Sequence, residues 1–212
     1  MANAGPHPLG VYVVTSTGLA PGRTHRDVAF AAIEGGADAV QLRAKELRDD
    51  DLRPLAREIA DACRGAGVLF LVNDRTAVAL ESGADGVHVG QDEDIPQVRG
   101  RLGDGPILGV SVDEPDQARR AEAAGADYLA VTVWPTTTKL DARPHGVDGV
   151  AAVVEATSLP VVGIGGISAE NAAEVLAAGA VGVAVISAVG AVDDPVEATR
   201  RLVAAVHAGG RA

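Results

Sequence analysis

With 212 residues the chain can hold one sizeable domain, a little under the roughly 250 typical of an α/β barrel. Hydrophobic residues make up 47% and aromatics 2%, so Val, Ala, Leu and Ile must build the core, as suits buried parallel strands under Ala-rich helices. The formal net charge of -11 argues against a nucleic-acid surface, and the absence of a long apolar run or a signal-like start argues against a membrane and for the cytoplasm.

Residues 1–8, with Pro6 and Pro8, read as a loose, flexible N-terminal tail, and residues 9–212 as one domain. From there the chain alternates short β-rich runs with Ala/Glu/Arg-rich helical stretches. Strands are expected at 11–14, 39–42, 69–72, 86–89, 107–110, 128–131, 160–163 and 182–186, each followed by a helix. Cys63 falls in the helical pattern after the second strand, where it reads as a small buried packing residue, and a single cysteine excludes an internal disulfide. An internal repeat supports the count. Gly36-Ala37-Asp38, Gly83-Ala84-Asp85, Gly125-Ala126-Asp127 and the near copy Gly179-Ala180-Val181 each close a helix and open a strand, about two βα units apart. Four double units make a single closed (β/α)8 TIM barrel; an open, doubly wound sheet is the competing arrangement.

Barrels gather function where strands end. After the second strand, Gln41, Arg43 and Lys45 alternate with Leu42 and Ala44, so the three polar side chains share one face. Two cations and an amide suit a diphosphate; a solvated strand end paired with Glu46, Asp49 or Asp50 is the plainer alternative. The third strand runs into Asn73-Asp74, which could instead cap the next helix. The fourth ends in Gly90-Gln91-Asp92-Glu93-Asp94, again readable as a helix start. Carboxylates from adjacent strand ends beside a basic row suggest Mg2+ shared with a diphosphate.

Ser111 follows the fifth strand. Trp134 to Lys139 follow the sixth, with Thr136, Thr137, Thr138 and Lys139 able to bind an anion and Trp134 either a lid or an anchor. The seventh ends in Gly163, with Gly165 and Gly166 after it, and the eighth in Ile186, with Ser187 after it, a backbone-lined phosphate cup. Two anion sites at one mouth are therefore expected. Of the histidines, His7, His25 and His207 read as surface residues and His88 as a core or helix-facing one; His145 lies in a loop that can approach the mouth.

The series Gln41 to Lys45, Asn73-Asp74, Gly86 to Gln91, Gly109-Val110-Ser111, Thr136 to Lys139, Gly163 to Ile167 and Ile186-Ser187 resembles the thiamine phosphate synthase family, in order from about Val11 to the last helix. The resemblance implies a transferase that joins a hydroxymethylpyrimidine diphosphate to a thiazole phosphate and releases pyrophosphate, by a dissociative substitution assisted by Mg2+. It implies that Gln41, Leu42, Arg43, Ala44, Lys45, Asn73, Ser111 and Lys139 hold the pyrimidine diphosphate. Asp74 with Glu93 or Asp94 would bind Mg2+. Thr136, Thr137, Thr138, Gly166, Ile186 and Ser187 would surround the thiazole phosphate, and Arg43, Lys45, Ser111 and Lys139 would serve the departure of pyrophosphate. Small-molecule substrates are the implied partners, and a homo-oligomer is left open. Three departures stand out: the Gln91 to Asp94 run leaves the second metal ligand ambiguous, Ala130 to Val133 replace a usual Gly-x-Gly-Pro and are one residue short, and Asp113 stands where relatives often carry His. A thiazole tautomerase-like isomerase and a non-catalytic phosphate-binding barrel are the other readings.

Overall fold

A computed structural model describes residues 9–136 and 143–209. Residues 1–8, with the expected tail, lie outside them, as do Thr137, Thr138 and Lys139. The strands are β1 (Val11–Val14), β2 (Ala39–Leu42), β3 (Leu69–Asn73), β4 (Gly86–Val89), β5 (Ile107–Ser111), β6 (Tyr128–Thr132), β7 (Val161–Ile164) and β8 (Gly182–Val185). Between them run α1 (His25–Glu34), α2 (Asp49–Ala66), α3 (Thr76–Ser82), α4 (Ile95–Leu102), α5 (Pro115–Ala123), α6 (Gly146–Ala156) and α7 (Ala172–Ala177). The short α8 (Ser187–Gly190) and the long α9 (Pro195–Gly209) follow β8. None of the described helices is long and apolar enough to cross a membrane.

All strands are parallel, and β1 pairs with β2 on one side and β8 on the other, so the sheet closes. Closure decides against the open sheet: Tyr12 aligns with Ala39 of β2 and with Ala184 of β8. The chain forms a single (β/α)8 barrel. Side-chain alternation divides the core into two shells. Val13, Val40, Val72, Val87, Val110, Val131 and Val183 point outward into a layer shared with Ala-rich helix faces. Tyr12, Val14, Ala39, Leu71, Ile107, Tyr128, Val162 and Ala184 fill the barrel itself. Valine dominates the outer shell because its branched side chain packs well on a pleated surface, which explains how a core with so few aromatics closes.

The repeat has a structural job at the N-terminal end of the barrel. Gly36, Gly83, Gly125 and Gly179 all adopt positive φ, which lets each helix end and turn into a strand. The aspartate that follows accepts from a backbone N–H of the preceding strand: Asp38 from Val11 (2.7 Å), Asp85 from Phe70 (2.8 Å) and Asp127 from Leu108 (2.7 Å). Val181 in the fourth copy offers no such acceptor. At the opposite end β3, β5 and β6 each run one residue beyond expectation. The ladder continues through Asn73↔His88, Ser111↔Ala130 and Thr132↔Ile164, so polar residues become the topmost inward rungs.

Candidate active site at the C-terminal mouth

A cavity of about 270 Å³ opens at the C-terminal ends of the strands. Gln41, Arg43 and Lys45 all line it, while Leu42 and Ala44 are buried in the outer shell against the helices. The alternation expected past β2 therefore holds through Lys45, and any contact from Leu42 or Ala44 to a ligand falls to their backbone. A second, smaller hollow behind Lys45, Asn73 and Asp74 is lined by Ala44, Leu52 and Arg75, with Arg75 paired to Asp49.

Asn73 and Asp74 do not cap α3. Its N-cap is Arg75, and no side chain hydrogen-bonds there. Asp74 has φ of 61°, rare for a residue with a Cβ and a conformation that accumulates at functional sites. Its N–H donates to His88 O (2.9 Å), which ties this strained turn to β4. On the next loop the acids separate. Asp94 is the N-cap of α4 and accepts from the N–H of Gln97 (3.0 Å), whereas Asp92 and Glu93 line the cavity. Asp94 thus takes the capping role that was one reading of this acidic run, and Glu93 faces the mouth.

Below the rim lies a buried polar chain. The Gln41 amide donates to the Tyr12 hydroxyl, which lies 3.0 Å from the Tyr128 hydroxyl. Tyr128 in turn contacts His88 Nδ1 (2.8 Å), and His88 Nε2 contacts Ser111 Oγ (3.0 Å). With Gln41 as donor, each hydroxyl passes its proton onward: Tyr12 to Tyr128, Tyr128 to His88 Nδ1, and His88 Nε2–H to Ser111 Oγ. Ser111 is left with its own hydroxyl proton to donate. Burial pushes both tyrosines well above their ordinary pKa. Gly109 makes the chain possible, since a Cβ there would lie 2.1 Å from the Tyr128 ring.

His88 corrects the sequence reading. It points into the barrel, not toward core or helices, because the inward parity of β4 runs through Gly86, His88 and Gly90. The strand ends at Val89, and Gln91 reaches the mouth from a loop, so Gln91 does not continue the alternation of β4. Tyr12 and Tyr128 were not anticipated either, although both share the inward parity of their strands. His25, expected at the surface, is 4% exposed. It sits at the first position of α1, but the β1–α1 and β2–α2 loops close over it.

The far side of the mouth is neutral. Gly165, Gly166, Ile186 and Ser187 line it, with Thr132 and Thr136 from the β6 side. Gly165 and Gly166 have φ of 94° and 66°, and a Cβ on Gly166 would stand 2.8 Å from Trp134 Cβ. Two glycines are required here by conformation and by space. Trp134 is an anchor: its side chain packs against the outer core, and its backbone N–H donates to Gly165 O (3.2 Å). Asp113 and His145 meet each other at 3.3 Å (Asp113 Oδ1 to His145 Nε2) and are not part of the cavity wall.

Cations and carboxylates on one wall, glycine backbone and hydroxyls on the other, and a polar floor between them define a (β/α)8-barrel enzyme with an anion-handling mouth. A family model described as thiamine monophosphate synthase matches residues 11–189. Thiamine-phosphate synthase of Natronomonas pharaonis is 49% identical over 205 residues, covering 94% of this chain and 95% of that one. The Chloroflexus aurantiacus thiamine-phosphate synthase is 49% identical over 198 residues, with 92% of each chain covered. Among solved structures, thiamine phosphate pyrophosphorylase from Pyrococcus furiosus superposes with a TM-score of 0.89 at 38% identity, covering 96% of this chain and 98% of its own. The chain belongs to the thiamine phosphate synthase family and is a transferase.

Proposed function

We propose that the protein joins a hydroxymethylpyrimidine diphosphate to a thiazole phosphate, releasing pyrophosphate and forming thiamine phosphate. The observation that carries this reading is the division of one cavity. Arg43, Lys45, Asn73 and Asp74 converge on one side of it, and Gly165, Gly166, Ile186 and Ser187 on the other. Two anions of different charge would then enter from opposite walls with their rings meeting over the floor.

In this reading the bond between the pyrimidine methylene and the diphosphate oxygen breaks, and its electron pair leaves with pyrophosphate. The thiazole nitrogen lone pair forms the new C–N bond to the methylene carbon. Arg43 and Lys45 neutralise the departing charge, Ser111 donates its ordered proton to a ligand oxygen, and the Gln41–Tyr12–Tyr128–His88 chain fixes the pyrimidine ring by polar contacts. No covalent nucleophile takes part. Burial, with the Asp85 charge adding to it, pushes the Cys63 thiol up to about 12, in keeping with a packing role. Lys139 would add a third cation from the loop after β6.

The donor set fits Mg2+. Among the described residues no three His, Cys, Asp or Glu side chains gather into an all-protein cage, but Asp74 and Glu93 offer two carboxylates at one wall. A small hard cation takes one or two carboxylates and completes its shell with water and phosphate oxygens. When bound there by Asp74 and Glu93, it would supply charge neutralisation to the leaving diphosphate. The Arg43/Lys45 wall favours the transferase over a tautomerase-like isomerase.

Incubation with both phosphorylated substrates and Mg2+ tests the proposal. Thiamine phosphate and pyrophosphate are expected in equal amounts. Tight binding of both substrates without product would instead indicate a binding barrel.

A further inference from the structure

The four residues from Arg43 to Glu46 leave the barrel at the rim, where a strand end would ordinarily fray. The last backbone rung between β1 and β2 runs from Thr15 N–H to Gln41 O (2.9 Å). The next rung is made by a side chain: Arg43 N–H donates to Thr15 Oγ1 (3.1 Å). Thr15 is fully buried and also contacts His25 Nδ1 at 2.9 Å. The other ring nitrogen, His25 Nε2, lies 2.7 Å from Glu46 Oε1, which also accepts from Thr17 Oγ1 (3.2 Å). The local sequence delivers this imidazole. Thr24 caps α1 in a reciprocal box with Asp27, so His25 becomes the first helical residue and faces inward beneath the loops.

Donor counting gives the chain a direction. A carboxylate only accepts, so His25 Nε2 carries the proton and donates to Glu46. In the neutral ring Nδ1 is then the acceptor for the Thr15 hydroxyl, and in either protonation state the Thr15 oxygen receives Arg43 N–H. Burial raises the Glu46 carboxyl, yet the hydrogen bonds from His25, its own backbone and Thr17, with the His25 charge, together outweigh it and hold the group below the ordinary range. Both ends of the segment carrying Arg43 and Lys45 are thus tied to one ring: Arg43 through Thr15, Glu46 directly.

We propose that His25 is a positioning residue, bracing the Arg43–Glu46 segment through Thr15 and Glu46 so that Arg43 and Lys45 meet a diphosphate in a fixed geometry. The proposal rests on the diphosphate reading of that wall. A residue that merely fills the core would affect stability and leave the two substrates equally served.

The test uses His25→Ala and the near-isosteric Thr15→Val in the full chain. Should the first fail to fold, the second carries the same readouts. In the unliganded protein, the Arg43 amide is expected to exchange with solvent about tenfold faster or more in each variant, while the Thr15 amide on the intact rung keeps its protection. In the same variants KM for the pyrimidine diphosphate should rise about ten- to hundredfold, as a small misplacement of a clamp allows, with KM for the thiazole phosphate unchanged. The double variant should be no worse than the worse single one, since both break one chain. Unchanged Arg43 exchange, or an equal rise in both KM values, overturns the brace. A wild-type protein that makes no thiamine phosphate overturns the functional reading alone, because amide exchange decides the brace without turnover.

Discussion

Two buried tyrosines give the floor of the site a readout that needs no substrate. The chain contains two tyrosines, Tyr12 and Tyr128, and both belong to the polar chain below the mouth. Burial is the main cause that raises their pKa, since a phenolate in this enclosure would lose its hydration. A group whose pKa is raised by folding stabilises the fold fully below its unfolded value and loses that contribution as pH rises toward the folded value. Tyrosinate absorbance is therefore expected to stay absent near pH 10.0, the ordinary value, while the protein is folded. It should then appear for both residues in one step with the loss of circular dichroism. An ordinary titration of either tyrosine in the folded state would contradict the network. At this scale the sequence was only partly legible. Gln41, Arg43 and Lys45 could be assigned to one face by parity alone, but His88 could not. Its facing depends on where β4 stops, and that is set by pairing with β3 and β5. His25 was still less visible, because its burial comes from loops separated from it along the chain.

Among elements, the Gly-Ala-Asp repeat shows how a short motif can hold a barrel together. Each aspartate spans from the start of one strand to a backbone N–H of the strand before it, at the end away from the site. Asp85→Ala leaves Phe70 N–H without its carboxylate partner in a strand where Phe70 is 1% exposed. Leaving such a donor unpaired costs about 1–3 kcal/mol. Urea unfolding should show that loss, with Asp85→Asn closer to wild type because its amide oxygen still accepts, and turnover of the remaining folded protein should be little changed. A loss below about 0.5 kcal/mol would mean that solvent replaces the staple, as expected for ordinary surface substitutions. The repeat's spacing and its helix-to-strand position were readable from glycine's fitness for a left-handed turn. The staple was not, since it joins residues brought together by the parallel register.

For the molecule as a whole, the closed barrel puts two chemically different walls around one cavity, and that makes a sharp prediction. Arg43→Ala should raise the dissociation constant of inorganic pyrophosphate with Mg2+ by about a hundredfold, matching the 2–5 kcal/mol typical of removing a buried charge partner. Binding of the thiazole phosphate, measured calorimetrically, should stay within about twofold. Equal loss of both ligands would refute the division into two anion sites.

By itself the sequence determined the alternation of strands and helices, the fourfold repeat and most residues at the mouth. Periodicity, glycine conformation and charge are properties of residues close along the chain. Which acid faces the cavity, which histidines turn inward and how Arg43 is held were decided only by tertiary structure. Each depends on register or closure between segments distant in sequence, where Asp94 could cap α4, β4 could end at Val89, and Thr15 could supply the rung the backbone leaves open.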